Sequence, residues 1–66
     1  MQVTINGETK EIAEGLNVAT LMAELGVEPG QVAVEKNGEI VPKSTHAKAP
    51  IESGDSIEIV RFIGGG

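Results

Sequence analysis

The chain closes on Arg61-Phe62-Ile63-Gly64-Gly65-Gly66, whose last residues offer one group of chemical interest, an α-carboxylate with no side chain beyond Ile63 to crowd it. A carboxylate is idle by itself, because its charge repels nucleophiles and it has no good leaving group. Activation by ATP would make it a mixed anhydride. Attack by a sulfur donor would then leave a thiocarboxylate, covalent chemistry that another protein must carry out. Glycine suits a terminus that threads a narrow channel, where a Cβ would clash. Three glycines can also be a frayed end or a cloning remnant. That reading ranks second, since the preceding strand runs into the tail with no polar spacer.

The elements that must hold such a tail follow from the pattern behind it. Ser56 to Phe62 is rich in β-branched residues and partly alternating, the mark of a strand. Its alternation points Ile57 and Ile59 to one face and Glu58, Val60 and Phe62 to the other. Glycine loses more backbone freedom on ordering than any other residue, so residues 63–66 are expected to leave the sheet as a flexible tail. Val60 and Phe62, with Ala33, would form an apolar patch beside it. Either the segment from Lys43 to Ile51 folds over that patch as a minor second core, or the patch with Ile63 docks a partner, as grouped exposed apolar residues usually do.

From the amino end, Val3 and Ile5 alternate with Gln2 and Thr4, the period of a half-buried strand, and Asn6-Gly7 supplies the positive φ of a tight hairpin. A return strand runs from Glu8 to Ile12. A helix then begins at Asn17, a good N-cap, with Leu16 and Leu21 spaced as a hydrophobic staple and Gly26 placed for a left-handed C-cap. Val18, Leu21, Met22 and Leu25 make one apolar stripe, read as core, and Val27 can close the cap against Met22. Val32 to Lys36 and Glu39 to Val41 flank a second Asn-Gly turn, with Pro42 confining the latter strand to an edge. Lys43 to Pro50 has no convincing period and reads as a surface connection. Ile51 is its apolar anchor, and Ser53-Gly54-Asp55 is the turn before the last strand.

The order β-β-α-β-β-β implies an α+β domain spanning 1–66, with a mixed four- to five-stranded sheet and one helix packed on one face. A right-handed crossover would set the first and last strands side by side and parallel. The tail would then leave from the edge opposite Met1.

Composition narrows the function. At 66 residues the chain buries only roughly 60% of its unfolded surface, so a deep catalytic cavity is not expected. There is no cysteine, hence no disulfide framework, no thiolate metal site and no side-chain thiol to carry sulfur. With five basic and ten acidic residues, a formal net charge of −5 and Phe62 as the one aromatic, nucleic-acid binding is disfavoured. An acidic surface suits a basic partner, or simply keeps a small domain soluble. No membrane span and no signal peptide are visible, so the cytoplasm is the expected location. His46 reads as a solvated loop residue, Glu8, Glu11 and Glu14 as a solvated acidic edge, and Gly26 to Gln31 lacks the lysine of a phosphate loop. No catalytic constellation or metal site is visible, and no bound cofactor is expected.

The strand order, the Gly54-Asp55-Ser56-Ile57-Glu58-Ile59-Val60 approach and the Phe62-Ile63-Gly64-Gly65-Gly66 ending resemble the sulfur carrier proteins of thiamine biosynthesis, the ThiS family, with its ubiquitin-like β-grasp fold. The resemblance covers the whole chain. It implies a non-enzymatic carrier whose Gly66 carboxylate is adenylated by an E1-like (ThiF-like) enzyme using ATP and charged by a sulfur donor protein. A thiazole synthase (ThiG-like) would then accept the sulfur. Gly65 and Gly66 would enter each partner's active site, with Gly64 adding reach. Many family members place a histidine where Arg61 stands, a position flanking the chemistry. Alternatives are the small subunit of molybdopterin synthase, whose members tend to be longer with a proline-containing approach, a ubiquitin-like protein modifier, and a plain interaction module.

Overall fold

The computed structural model describes residues 1–62. Strands β1 (Gln2–Ile5) and β2 (Glu8–Glu11) form the first hairpin, α1 (Val18–Leu25) crosses over, β3 (Val32–Lys36) and β4 (Glu39–Ile40) form the second hairpin, and β5 (Ser56–Arg61) closes the fold. The sheet has five strands in the order β2-β1-β5-β3-β4. The central strand β5 runs parallel to β1, as expected, and antiparallel to β3.

Both hairpins turn for the same reason. Asn6 and Gly7 have φ of 51° and 83°, Asn37 and Gly38 have 53° and 85°, and a two-residue turn with positive φ at both positions matches the right-handed twist of the strands it joins. The helix is bounded with equal economy. Asn17 Oδ1 accepts the Thr20 N–H at 2.8 Å while Thr20 Oγ1 accepts the Asn17 N–H at 2.8 Å, which satisfies donors that the helix start leaves open. At the other end Gly26 adopts φ 72°, and its N–H and that of Val27 reach back to the carbonyls of Ala23 and Met22.

One core lies between α1 and the sheet. Val3, Ile5, Val18, Leu21, Met22, Val34 and Ile57 are buried there, with Val32 and Ile51 at its border. Leu25 departs from the expected apolar stripe, being 41% exposed. It sits in the last turn, where it only rims a shallow hollow of about 320 Å³ with Ile5, Val27 and Ile59.

The connection between β4 and β5 is more ordered than its lack of period suggested. Lys43–Lys48 forms a 3₁₀ helix, and the chain after it pairs with the start of α1: Val18 N–H donates to the Ala49 carbonyl at 2.9 Å and Ile51 N–H to the Leu16 carbonyl at 3.0 Å. A 3₁₀ turn repeats every three residues and carries little sequence signature at this length. His46 is accordingly not a solvated loop residue. It is buried at 5% exposure, with Nε2 3.1 Å from the Val41 carbonyl oxygen and Nδ1 without a partner among the described residues. No helix among these residues is long and apolar enough to cross a membrane, and none of their His, Asp and Glu side chains cluster as a metal site would need.

Candidate functional site

The site is the far end of β5, and the elements around it fix where that strand ends. Each Asn-Gly turn does more than reverse the chain. Asn37 N–H donates to the Ser56 carbonyl at 2.7 Å and its Oδ1 accepts the Ser56 N–H at 2.9 Å. On the other flank, Asn6 N–H donates to the Ile57 carbonyl at 2.9 Å and its Oδ1 accepts the Ile59 N–H at 2.7 Å. β5 is thus gripped from both sides by the two turns, and its register is set within its first four residues.

Asp55 anchors the entry to the strand. It is buried at 8% exposure, its Oδ1 accepts from Asn37 Nδ2 at 3.0 Å, and its Oδ2 accepts the Glu52 N–H at 2.8 Å. Burial pushes its carboxyl pKa upward, but the Asn37 amide, the Glu52 N–H and the charge of Lys36 together outweigh it and hold the group below its ordinary value of 3.8. Gly54, with φ 87°, makes the turn that lets the Asp55 carboxylate fold back on Glu52.

At the exit the ladder with β3 continues past Arg61: Phe62 N–H donates to the Gln31 carbonyl at 3.0 Å. The backbone is therefore held to the last described residue, immediately before the glycine-rich end. The alternation expected for β5 holds. Ile57 is fully buried under α1 and Ile59 is partly buried, whereas Val60 and Phe62 are 53% and 61% exposed on the opposite face. Ala33 stands directly across from Val60. The segment from Lys43 to Ile51 leaves this patch open, since Val60 and Phe62 stay more than half exposed, although Lys43 and His46 border the same hollow as Phe62. Ile40, 63% exposed, enlarges the apolar surface beyond the residues that the sequence singled out, and Val34, Ile40, Val41, His46 and Phe62 border a hollow of about 290 Å³.

Of the residues assigned a role from sequence, Val60 and Phe62 come together on the open face; Ile63, Gly64, Gly65 and Gly66 lie outside the described residues. By sequence Asn6, Asn37 and Asp55 are marked only as parts of turns. Their signal was present, since an Asn-Gly turn has a side-chain amide to spare and an acid in a Gly-Asp turn can fold back on its own backbone.

Residues 3–66 match the model of the ThiS family. The sequence is 30% identical over 66 residues to the sulfur carrier protein ThiS of Escherichia coli (strain K12), with both chains covered in full. It is 50% identical over 66 residues to a thiazole synthase of Paramagnetospirillum magneticum and 38% identical to one of Magnetococcus marinus, and spans 20% of the length of each of those two proteins. The crystal structure of a thiamine biosynthesis protein (ThiS) from Geobacter metallireducens superimposes with a TM-score of 0.88 at 36% identity, covering all of both chains.

Proposed function

Since the chain belongs to the ThiS family, we propose that it carries sulfur for thiazole formation in thiamine biosynthesis, on a thiocarboxylate formed at Gly66. The observation that carries this reading is a family match that runs through the glycine end to residue 66 rather than stopping at the sheet. The fold supports it. The described backbone stays hydrogen-bonded through Phe62, shortly before the glycines, as a carrier that presents its terminus would need.

In this proposal a Gly66 carboxylate oxygen attacks the α-phosphorus of ATP in the active site of an E1-like enzyme, and pyrophosphate leaves. The acyl adenylate is then attacked at its carbonyl carbon by a sulfur nucleophile at the sulfide level, delivered by a donor protein. The carbon–sulfur bond forms, AMP departs with the former oxygen, and the thiocarboxylate remains. The carrier contributes reach and identity, and the partner contributes ATP binding and electrostatic stabilisation. Gly64, Gly65 and Gly66 occupy the partner's channel, while Val60, Phe62 and Ile63 form the contact surface outside it. A thiazole synthase is the proposed acceptor. In two curated thiazole synthases a segment similar to this chain is part of the same polypeptide, which supports that pairing.

The test is intact-mass measurement after incubation with a purified ATP-dependent adenylating enzyme, ATP and sulfide. Replacement of one oxygen by sulfur, mapped to Gly66 and abolished by deletion of Gly65 and Gly66, is the expected result. An unchanged mass under conditions that charge the Escherichia coli relative rejects the proposal. A ladder of larger conjugates in cell extract would instead assign the chain as a protein modifier.

A further inference from the structure

The two asparagines that clamp β5 are each followed by glycine, and an Asn-Gly step is reactive because glycine has no side chain to crowd its own nitrogen. Once a solvent base takes its proton, that backbone nitrogen attacks the side-chain Cγ of the asparagine. The nitrogen–carbon bond forms, ammonia leaves with the former Nδ2, and a five-membered succinimide remains. Water then opens the ring at either carbonyl, leaving an aspartyl residue or an isoaspartyl one whose backbone is longer by a methylene. The net change is one water taken up and one ammonia released. The third asparagine, Asn17, is spared: the Val18 nitrogen is crowded by a branched Cβ, and its N–H is already given to the Ala49 carbonyl at 2.9 Å.

The two turns are alike in backbone and exposure and differ in how the amide is held. Both asparagines are exposed, with φ of 51° and 53°, and a Cβ at Gly7 or Gly38 would meet nothing within 4 Å. Neither glycine N–H donates a backbone hydrogen bond among the described residues. Closing the ring swings Cγ toward the glycine nitrogen and gives up the bonds that the amide makes. Asn37 has both ends fastened: Oδ1 accepts the Ser56 N–H at 2.9 Å, and Nδ2 donates to the Asp55 carboxylate at 3.0 Å. Asn6 has only one end fastened. Its Oδ1 accepts the Ile59 N–H at 2.7 Å, and its Nδ2 makes no hydrogen bond among the described residues.

The two lesions would also differ in what they cost. A carboxylate at Asn37 would face the buried Asp55 carboxylate where an N–H stands now, setting like charges at hydrogen-bond distance. At Asn6 the aspartyl product keeps an oxygen that can accept the Ile59 N–H. The isoaspartyl product lengthens a two-residue turn and draws that oxygen out of place. We propose that Asn6-Gly7 is a spontaneous modification site, where deamidation through a succinimide releases the exit half of β5, while Asp55 keeps Asn37-Gly38 unreactive. One charge-assisted hydrogen bond separates the two amides, which sets the expected ratio of their rates at about tenfold. The N–H that the isoaspartyl form lets go belongs to Ile59, in the stretch of β5 that leads to the glycine end.

The experiment holds the folded wild type in mildly alkaline buffer, with a second sample in denaturant, and follows both sites by peptide mapping and mass spectrometry that separates aspartyl from isoaspartyl forms. In the folded protein the Asn6-Gly7 peptide should convert about tenfold faster than the Asn37-Gly38 peptide. In denaturant the two should convert alike. Amide exchange on the purified isoaspartyl form should show Ile59 deprotected while Ser56 stays protected under Asn37. Equal rates in the folded chain, or a faster Asn37, overturn the assignment. The same preference in denaturant overturns it as well, since the order would then come from sequence neighbours and not from the fold. An Ile59 amide as protected in the isoaspartyl form as in the unmodified chain overturns the release of β5.

Discussion

Ile57 and Glu58 are adjacent in sequence and opposite in circumstance. One is fully buried beneath α1, the other lies in water across from a second acid. The two faces of β5 therefore serve different ends. The covered face holds the molecule together, since each of its apolar side chains leaves water and fills space at near-crystalline density. The open face is stabilised by almost nothing and even carries a repulsion, which frees its residues to be chosen for what they meet. A single strand thus keeps stability and recognition apart by the period of its own pleat.

Substitutions on the two faces should separate sharply. The largest effect falls on the covered side: Ile57→Ala leaves a cavity at the centre of the sheet and should cost about 2–5 kcal/mol, read as a fall in the denaturant midpoint. Asp55→Ala comes next. It strips partners from the Glu52 N–H and the Asn37 amide and should cost roughly 1–3 kcal/mol. The same site predicts a pH dependence. Asp55 has its carboxyl pKa lowered on folding, so its contribution is complete above the ordinary value of 3.8 and is lost as pH falls below that through the folded value. Acid unfolding of Asp55→Asn, followed by circular dichroism, should accordingly be less steep than that of the wild type.

On the open side the signs change. Glu58→Gln removes one of two facing charges and should raise the thermal midpoint by roughly 1–5 °C in a scanning experiment. Phe62→Ala has the smallest effect on stability, within about 0.5 kcal/mol, yet it should weaken binding to the adenylating enzyme about tenfold or more in a titration. If Phe62→Ala lowered stability as much as Ile57→Ala, the division between the two faces would be lost.

Much of this architecture was legible in the residues. The alternation of Val3 and Ile5, the two Asn-Gly turns and the Asn17 and Gly26 caps are local signals, each with one stereochemical solution, and the structure adopts all of them. The parallel pairing of β1 with β5 is the arrangement expected with a right-handed crossover. What escaped the sequence reading was set by tertiary contact. His46 has no local signal for burial; the 3₁₀ helix places it inside, with Nε2 3.1 Å from the Val41 carbonyl oxygen. Leu25 fits the apolar stripe by spacing and fails by position, in the last residue of the helix, where it stays 41% exposed. Alternation places Val60 and Phe62 together on one face, but whether the segment from Lys43 to Ile51 covers them is decided only in three dimensions. Ile40 joins them only through strand register, which no count along the chain reveals.

The grip of Asn6 and Asn37 on β5 has a mechanical consequence. The first and last strands are neighbours and point the same way, so tension applied between the amino terminus and the carboxyl end would slide one along the other. Their hydrogen bonds and the two amide clamps would then bear the load in shear, all at once, instead of opening singly as in an unzipped hairpin. A pull on the carboxyl end would therefore meet these bonds together rather than one by one.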